Sequence, residues 1–260
     1  MGHSTSISLH TIRGIPEIQS GDDLSERITH AIQESDMCLE AGDILVVAHK
    51  IVSKAEGRVV SLSDIQPSAQ AYKLAEETGK PAAKIECILR ESSKILRIKP
   101  KTEEREAVII CEHRLGLIMA NAGIDESNVP GEDRVVLLPE NPDHSARRLR
   151  DGMASRNDGI RPGVIISDTF GRPWRMGLVN VAIGLAGVPG AINLAGQADS
   201  QGRMMRATVP AFADEVAAAA GLLMDKTAGT PVILFRGLQW AESNDDLSVL
   251  LRPAAEDLFR

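Results

Sequence analysis

Ile165-Ile166-Ser167-Asp168-Thr169-Phe170-Gly171-Arg172 (165–172) sets an apolar run directly before an acid and a string of small polar residues. Ile44-Leu45-Val46-Val47-Ala48 (44–48) is a second unbroken apolar run, leading into the polar His49 to Arg58, which ends at a glycine. Without alternating polar residues, such a run reads as a strand buried on both faces. Outward from these runs, Ser6 to Arg13 alternates as a first strand and Gly14-Ile15-Pro16 turns the chain. Asp22 to Glu26 opens a helix reaching about Leu39, with acids in its first turn. Helices follow at Ser68–Thr78 and from Pro81 to about Ser93, where proline suits the first turn. Ala107–Cys111 and Leu115–Ala120 read as adjacent strands, Arg134–Leu138 as another, and Asn141-Pro142-Asp143 as the start of a basic helix over Ser145–Asn157. Val164–Ser167 is the strand that delivers the acid, Gly177–Val188 is apolar and glycine-rich, Pro210–Met224 is a buried helix and Pro231–Phe235 a last strand. Strands and helices alternate without a strict period, so the class is α/β or α+β with mixed sheets. No repeat, low-complexity run or long linker divides the chain, and 5–260 reads as one unit; Met1 to Ser4 is set aside as a non-native or disordered lead.

The 260 residues carry 36 acids against 29 bases, a net charge of −7, which does not suggest a nucleic-acid surface. No run of about eighteen apolar residues occurs and the N-terminus lacks a signal peptide's apolar core, so neither a membrane span nor export is expected, and the cytoplasm is the expected location. Cys38, Cys87 and Cys111 form no C-x-x-C pair and read as buried structural thiols. Aromatic residues make up 3%, so the core is built from aliphatic side chains and few platforms exist for stacking bases.

The second acidic stretch, Asn121-Ala122-Gly123-Ile124-Asp125-Glu126-Ser127-Asn128, also follows an apolar run. Asp125 and Asp168, with Thr169 and Asn128, offer oxygen ligands of the type that suits magnesium or manganese rather than zinc. Taken alone, each acid reads more readily as a turn or cap residue, and convergence across 43 residues does not follow from spacing. Lys54 suits a phosphate, or else a solvated position after a strand. Arg172 and Arg175, in Gly171-Arg172-Pro173-Trp174-Arg175-Met176-Gly177, place guanidiniums beside the second acid for an anionic substrate, or for an Arg–Asp salt bridge. The chain has no phosphate loop, no G-x-G-x-x-G after a strand, no H-E-x-x-H and no G-x-S-x-G. The histidines, at 3, 10, 30, 49, 113 and 144, show no ligand spacing, although His49 and His113 lie near the candidate residues.

Val52-Ser53-Lys54-Ala55-Glu56-Gly57-Arg58, Asn121 to Asn128, Ser167 to Arg172 and the helix with Ala213-Asp214-Glu215 resemble, in this order, the F-420:gamma-glutamyl ligase family, from Gly14 to Leu238. The resemblance implies an unusual two-part fold of intimately packed subdomains forming an intertwined homodimer. It implies a GTP-dependent ligase that joins L-glutamate to the phospholactyl carboxylate of the deazaflavin precursor F-420-0 through an acyl phosphate, with further γ-glutamyl additions. By it, Asp125 and Asp168 would ligate a first Mg2+ or Mn2+ and Thr169 a second, with a monovalent cation such as K+ as a further requirement. Ile15, Pro16, Glu17, Ile18, Lys54, Asn128 and the turn Met224, Asp225, Lys226, Thr227, Ala228, Gly229, Thr230 and Pro231 would line the GTP site; that Lys54, Arg172 and Arg175 steady the reacting anions is our own expectation from their charge, not part of the resemblance. Lys226 stands where some relatives carry an acid, and an ammonium does not ligate a metal. The alternatives are a metal-dependent GTP hydrolase, a ligase with another carboxylate acceptor, and a non-catalytic nucleotide-binding homologue.

Overall fold

The computed structural model describes residues 6–129, 131–224 and 229–257. The chain runs through Ser8–Thr11 (β1), Leu24–Glu34 (α1), Ile44–Ala48 (β2), His49–Ala55 (α2) and Val59–Ser61 (β3). Ala69–Thr78 (α3), Ala82–Glu91 (α4), Ser92–Lys99 (β4), Val108–His113 (β5), Ile118–Ala120 (β6) and Arg134–Val136 (β7) follow. Then come Pro142–Arg156 (α5), Gly163–Arg172 (β8), Arg175–Ala186 (β9), Phe212–Ala220 (α6) and Val232–Arg236 (β10).

The central sheet is mixed, as expected, in the order β1-β10-β2-β8-β9. β2 and β8 are parallel and every other neighbouring pair in it is antiparallel. Burial on both faces of β2 follows from its pleat. Leu45 and Val47 pack with Ile28 and Ile32 of α1 and Leu149 and Met153 of α5, while Ile44 and Val46 face Phe212, Val216 and Ala217 of α6. These four β2 side chains are fully buried, and burying each contributes about 2 kcal/mol. A three-stranded antiparallel sheet, β4-β5-β6, and the β3–β7 pair enclose a third cluster with α3 and α4. Cys87 and Cys111 belong to it, and burial pushes both thiols up, whereas Cys38 is exposed, against expectation. Among the described residues no helix is long and apolar enough to cross a membrane.

Beside β3, a strand not expected, and α1, which ends at Glu34 rather than near Leu39, four departures from the sequence expectation bear on the site and its supports. The polar segment after β2 is a helix, α2, too short for a visible period. Its stop is written in the sequence: Gly57 takes φ 70°, the Arg58 amide donates to the Ser53 carbonyl oxygen at 2.8 Å and the Gly57 amide to the Lys54 carbonyl oxygen at 3.0 Å, a left-handed glycine cap. α4 runs directly into β4, a strand not expected. β8 does not end at Ser167 but continues to Arg172, because Gly177–Val188 supplies its antiparallel partner β9. α6 is shorter than Pro210–Met224, though buried as expected.

Candidate functional site

The parallel pairing of β2 and β8 sets Ala48 opposite Ser167, so both strands end their shared ladder at the same edge of the sheet. From that edge β2 passes into α2 and β8 into Asp168. Carboxyl ends of parallel strands are where mixed and parallel sheets tend to bind ligands. The β8–β9 register shifts between Ile166 and Ser167, and a bulge of this kind re-aims the side chains that follow.

A cavity of about 490 Å³ opens there. Ile15, Pro16, Glu17 and Ile18, after β1, form one wall; His49, Lys50, Ile51 and Lys54 of α2 form another. Ser167, Asp168 and Thr169 of β8, with Leu178 and Asn180 of β9, form the floor, and Asn128 reaches in from the segment between β6 and β7. Gly221, Met224, Gly229, Thr230 and Pro231 close the far side. The Thr230 hydroxyl donates to the Leu223 carbonyl oxygen at 3.0 Å, and the Ala48 amide donates to the Pro231 carbonyl oxygen at 2.8 Å, fixing this segment against the end of β2.

Lys54 is buried, and its ammonium donates to Glu17 Oε1 at 2.6 Å. Asp168 Oδ1 accepts from the Thr169 amide at 2.6 Å and lies 3.3 Å from His49 Nε2. His49 is 2% exposed, its Nδ1 is 3.3 Å from Ser53 Oγ, and its Nε2 has no hydrogen-bond partner among the described residues. The Thr169 hydroxyl donates to Asn180 Oδ1 at 3.2 Å, across the β8–β9 pair that sets these residues opposite each other.

Asp125 stands outside the cavity wall and is joined to it through Lys50, whose ammonium meets Asp125 Oδ2 at 2.6 Å. Its backbone exchanges hydrogen bonds with Val136, and its Oδ1 accepts from the Ser127 amide at 2.8 Å, the local turn that the sequence also allowed. Burial pushes the Asp125 carboxyl up, but the hydrogen bonds from Lys50 and the Ser127 amide outweigh it and hold it at about 2. Asn128 follows in a left-handed conformation, φ 58°, which asparagine tolerates better than most residues.

The structure therefore brings together Ile15, Pro16, Glu17, Ile18, Lys54, Asn128, Asp168, Thr169, Met224, Gly229, Thr230 and Pro231. Asp225, Lys226, Thr227 and Ala228 lie outside the described residues. Arg172 and Arg175 are not brought to this chain's cavity: both are exposed at the tip of the β8–β9 hairpin, where Arg172 Nη2 donates to the Met176 carbonyl oxygen at 3.1 Å and neither makes the Arg–Asp bridge with Asp168. His49, Lys50, Ser167 and Asn180 line the site without being marked as site residues by the sequence. A strand end followed by a glycine-capped helix is the signal for the first two, and the cross-strand partner of Thr169 is the signal for Asn180.

Among the described residues no three His, Cys, Asp or Glu side chains gather as a metal site. The groups present nevertheless suit a hard cation. The Asp125 carboxylate already holds a positive charge, the Lys50 ammonium, and the remaining donors at Asp168, Thr169 and Asn180 are oxygens.

The family model described as F420-0:Gamma-glutamyl ligase matches residues 13–237. The chain is 42% identical over 265 residues to the Coenzyme F420:L-glutamate ligase of Methanopyrus kandleri, covering 100% of each. It is 43% identical to that of Methanothermobacter thermautotrophicus, with 98% of this chain and 99% of the relative covered, and 38% identical to that of Archaeoglobus fulgidus, with 98% and 96% covered.

Proposed function

The chain belongs to the F420-0:gamma-glutamyl ligase family, and from that premise we propose that it is a GTP- and divalent-metal-dependent ligase joining L-glutamate to the phospholactyl carboxylate of a deazaflavin precursor. The observation that carries the proposal is the cavity at the ends of β2 and β8, where the loop after β1, Lys54, Asn128, the pair Asp168–Thr169 and the segment before β10 meet.

A carboxylate resists an attacking amine because its charge repels the lone pair and an oxide ion is a poor leaving group. Transfer of the terminal phosphoryl group of GTP to the phospholactyl carboxylate gives an acyl phosphate and GDP. The glutamate amine then attacks the carbonyl carbon, phosphate leaves with the carbon–oxygen electron pair, and the amine loses a proton. Asp125, Asp168 and Thr169 would hold Mg2+ or Mn2+, which would offset negative charge on the phosphoryl oxygens. Lys54, held by Glu17, places a fixed positive charge on the wall, and a buried donor of this kind is worth more than one in water. Ile15, Pro16 and Ile18 give the cavity an apolar side, and Met224, Gly229, Thr230 and Pro231 bound the place the nucleotide would take.

The protein acts as a homodimer in this proposal. Trp174 and Met176 are each 88% exposed, and Leu178 is 66% exposed, on a projecting hairpin, an apolar stretch that a second copy would cover. Arg172 and Arg175, on the same hairpin, would serve the anions in the second copy's cavity.

Mass spectrometry of the deazaflavin precursor incubated with the protein, GTP, glutamate and Mg2+ or Mn2+ tests the reaction. Glutamyl mass gains are expected. Phosphate release from GTP with no change in the precursor would point instead to a hydrolase.

A further inference from the structure

Lys50 joins Asp125 to the cavity that Asp168 lines. Its ammonium meets Asp125 Oδ2 at 2.6 Å, Ser127 Oγ at 2.6 Å and the Ser127 carbonyl oxygen at 3.0 Å, while the residue itself lines the cavity that holds Asp168. An ammonium has three donors, and these acceptors use all of them. We infer that Lys50 is the resident counter-ion of Asp125: it occupies the cation position while the site is empty, leaves when a divalent ion takes the carboxylate, and turns its charge to the anion in the cavity. The inference rests on the proposal that Asp125 is a metal ligand.

Three features carry it. Both Asp125 oxygens are engaged, Oδ2 by Lys50 and Oδ1 by the Ser127 amide. The neutral amide can stay when a metal ion arrives, because a carboxylate oxygen has a second lone pair. The ammonium cannot, since two like charges a few ångströms apart in partly dry surroundings repel strongly. Second, the Lys50 side chain is 15% exposed, beside the open cavity rather than in the packed core. A four-carbon stem on the first turn of α2 reaches either the Asp125 carboxylate or an anion on the cavity side without moving the helix. Third, the two acids differ in what faces them: the Lys50 ammonium faces Asp125, whereas among the described residues an imidazole and its neighbour's amide face Asp168.

A lysine that only braces the Asp125 turn and a lysine that competes for its carboxylate make opposite predictions. Electron paramagnetic resonance of free Mn2+, titrated into the nucleotide-free protein, gives the metal affinity for wild type, Lys50→Met and Asp125→Asn. Removing the competitor should tighten Mn2+ binding by about tenfold in Lys50→Met. With Mn2+ present, a non-hydrolysable GTP analogue should bind the same variant about tenfold more weakly, because the released charge is missing. Mn2+ affinity that is unchanged or weaker in Lys50→Met overturns the inference. Should that variant not fold, as judged by its circular dichroism melt, Lys50→Gln keeps a donor for Ser127 and is held to the same criterion. Asp125→Asn separates the two levels: it should weaken Mn2+ binding, and if it binds Mn2+ like wild type, or if wild type does not bind Mn2+, the metal role of Asp125 falls and the inference falls with it. Normal Mn2+ binding that needs Asp125 but ignores Lys50 removes the inference alone.

Discussion

Glu91, in the last turn of α4, accepts from Arg58 Nη2 at 2.8 Å and Arg114 Nε at 3.1 Å, with His113 Nε2 at 3.4 Å. The Leu115 amide donates to His113 Nδ1 at 3.0 Å, so the imidazole hydrogen belongs on Nε2, facing Glu91. Burial pushes the Glu91 carboxyl up, yet the His113 ring beside it and the hydrogen-bonded guanidiniums of Arg58 and Arg114 hold it down at about 2, against an ordinary 4.5. A depressed carboxyl stabilises the fold above its unfolded value and loses that contribution as pH falls towards its folded one. Roughly 3 kcal/mol should therefore disappear between about pH 5 and pH 2, read from urea midpoints across that range. Glu91→Gln should cost about 3 kcal/mol at neutral pH and flatten that slope; an unaltered slope would mean another carboxyl is responsible. Asp168 belongs to the same scale. Asp168→Asn keeps the acceptor for the Thr169 amide but not the charge, so the fold should survive while Mn2+ affinity and turnover each fall by about a hundredfold. A turnover within threefold of wild type would return Asp168 to the turn role that the sequence also allowed.

At the element scale the decisive piece is α2, which carries His49, Lys50 and Lys54 to the cavity. Its position is fixed at the far end by the glycine cap, and there Arg58 also donates to the Leu138 carbonyl oxygen at 3.0 Å. At Gly57 a Cβ would meet Ser20 Oγ at 2.9 Å on a backbone of φ +70°. Gly57→Ala should thus cost about 1–2 kcal/mol and raise the KM for GTP more than it lowers kcat, because the helix presenting Lys54 shifts. A thermal melt with steady-state kinetics checks this, and an unshifted KM would show that α2 is held by its β2 end alone. The helix was legible only through its stop. Three apolar residues, Ile51, Val52 and Ala55, in seven positions are too few to fix a period, and burial of His49, Ser53 and Lys54 is a fact of what packs around them. The extension of β8 was hidden in the same way, since Asp168, Thr169 and Phe170 become strand only because β9 pairs with them.

For the whole molecule the exposed hairpin is the feature with the largest consequence. If Trp174, Met176 and Leu178 are the homodimer contact, Trp174→Asp should yield monomers by sedimentation at concentrations where the wild type is dimeric, and should lower activity through Arg172 and Arg175. A dimer that persists would place the interface elsewhere. The mixed central sheet and its buried strands were readable from runs such as Ile44–Ala48, because a short apolar run without polar alternation has no face suited to water and must be covered on both sides. The acids were readable too, as small polar clusters after apolar runs. What the sequence by itself determined is this set of elements and chemically capable side chains, since both rest on local composition and short-range period. Only the tertiary structure decided that Ala48 lies opposite Ser167, that α2 therefore ends up beside Asp168, and that Asp125 reaches the cavity through the ammonium of Lys50. Strand register and the docking of one segment on another depend on contacts between residues far apart in the chain, and no spacing along it encodes them.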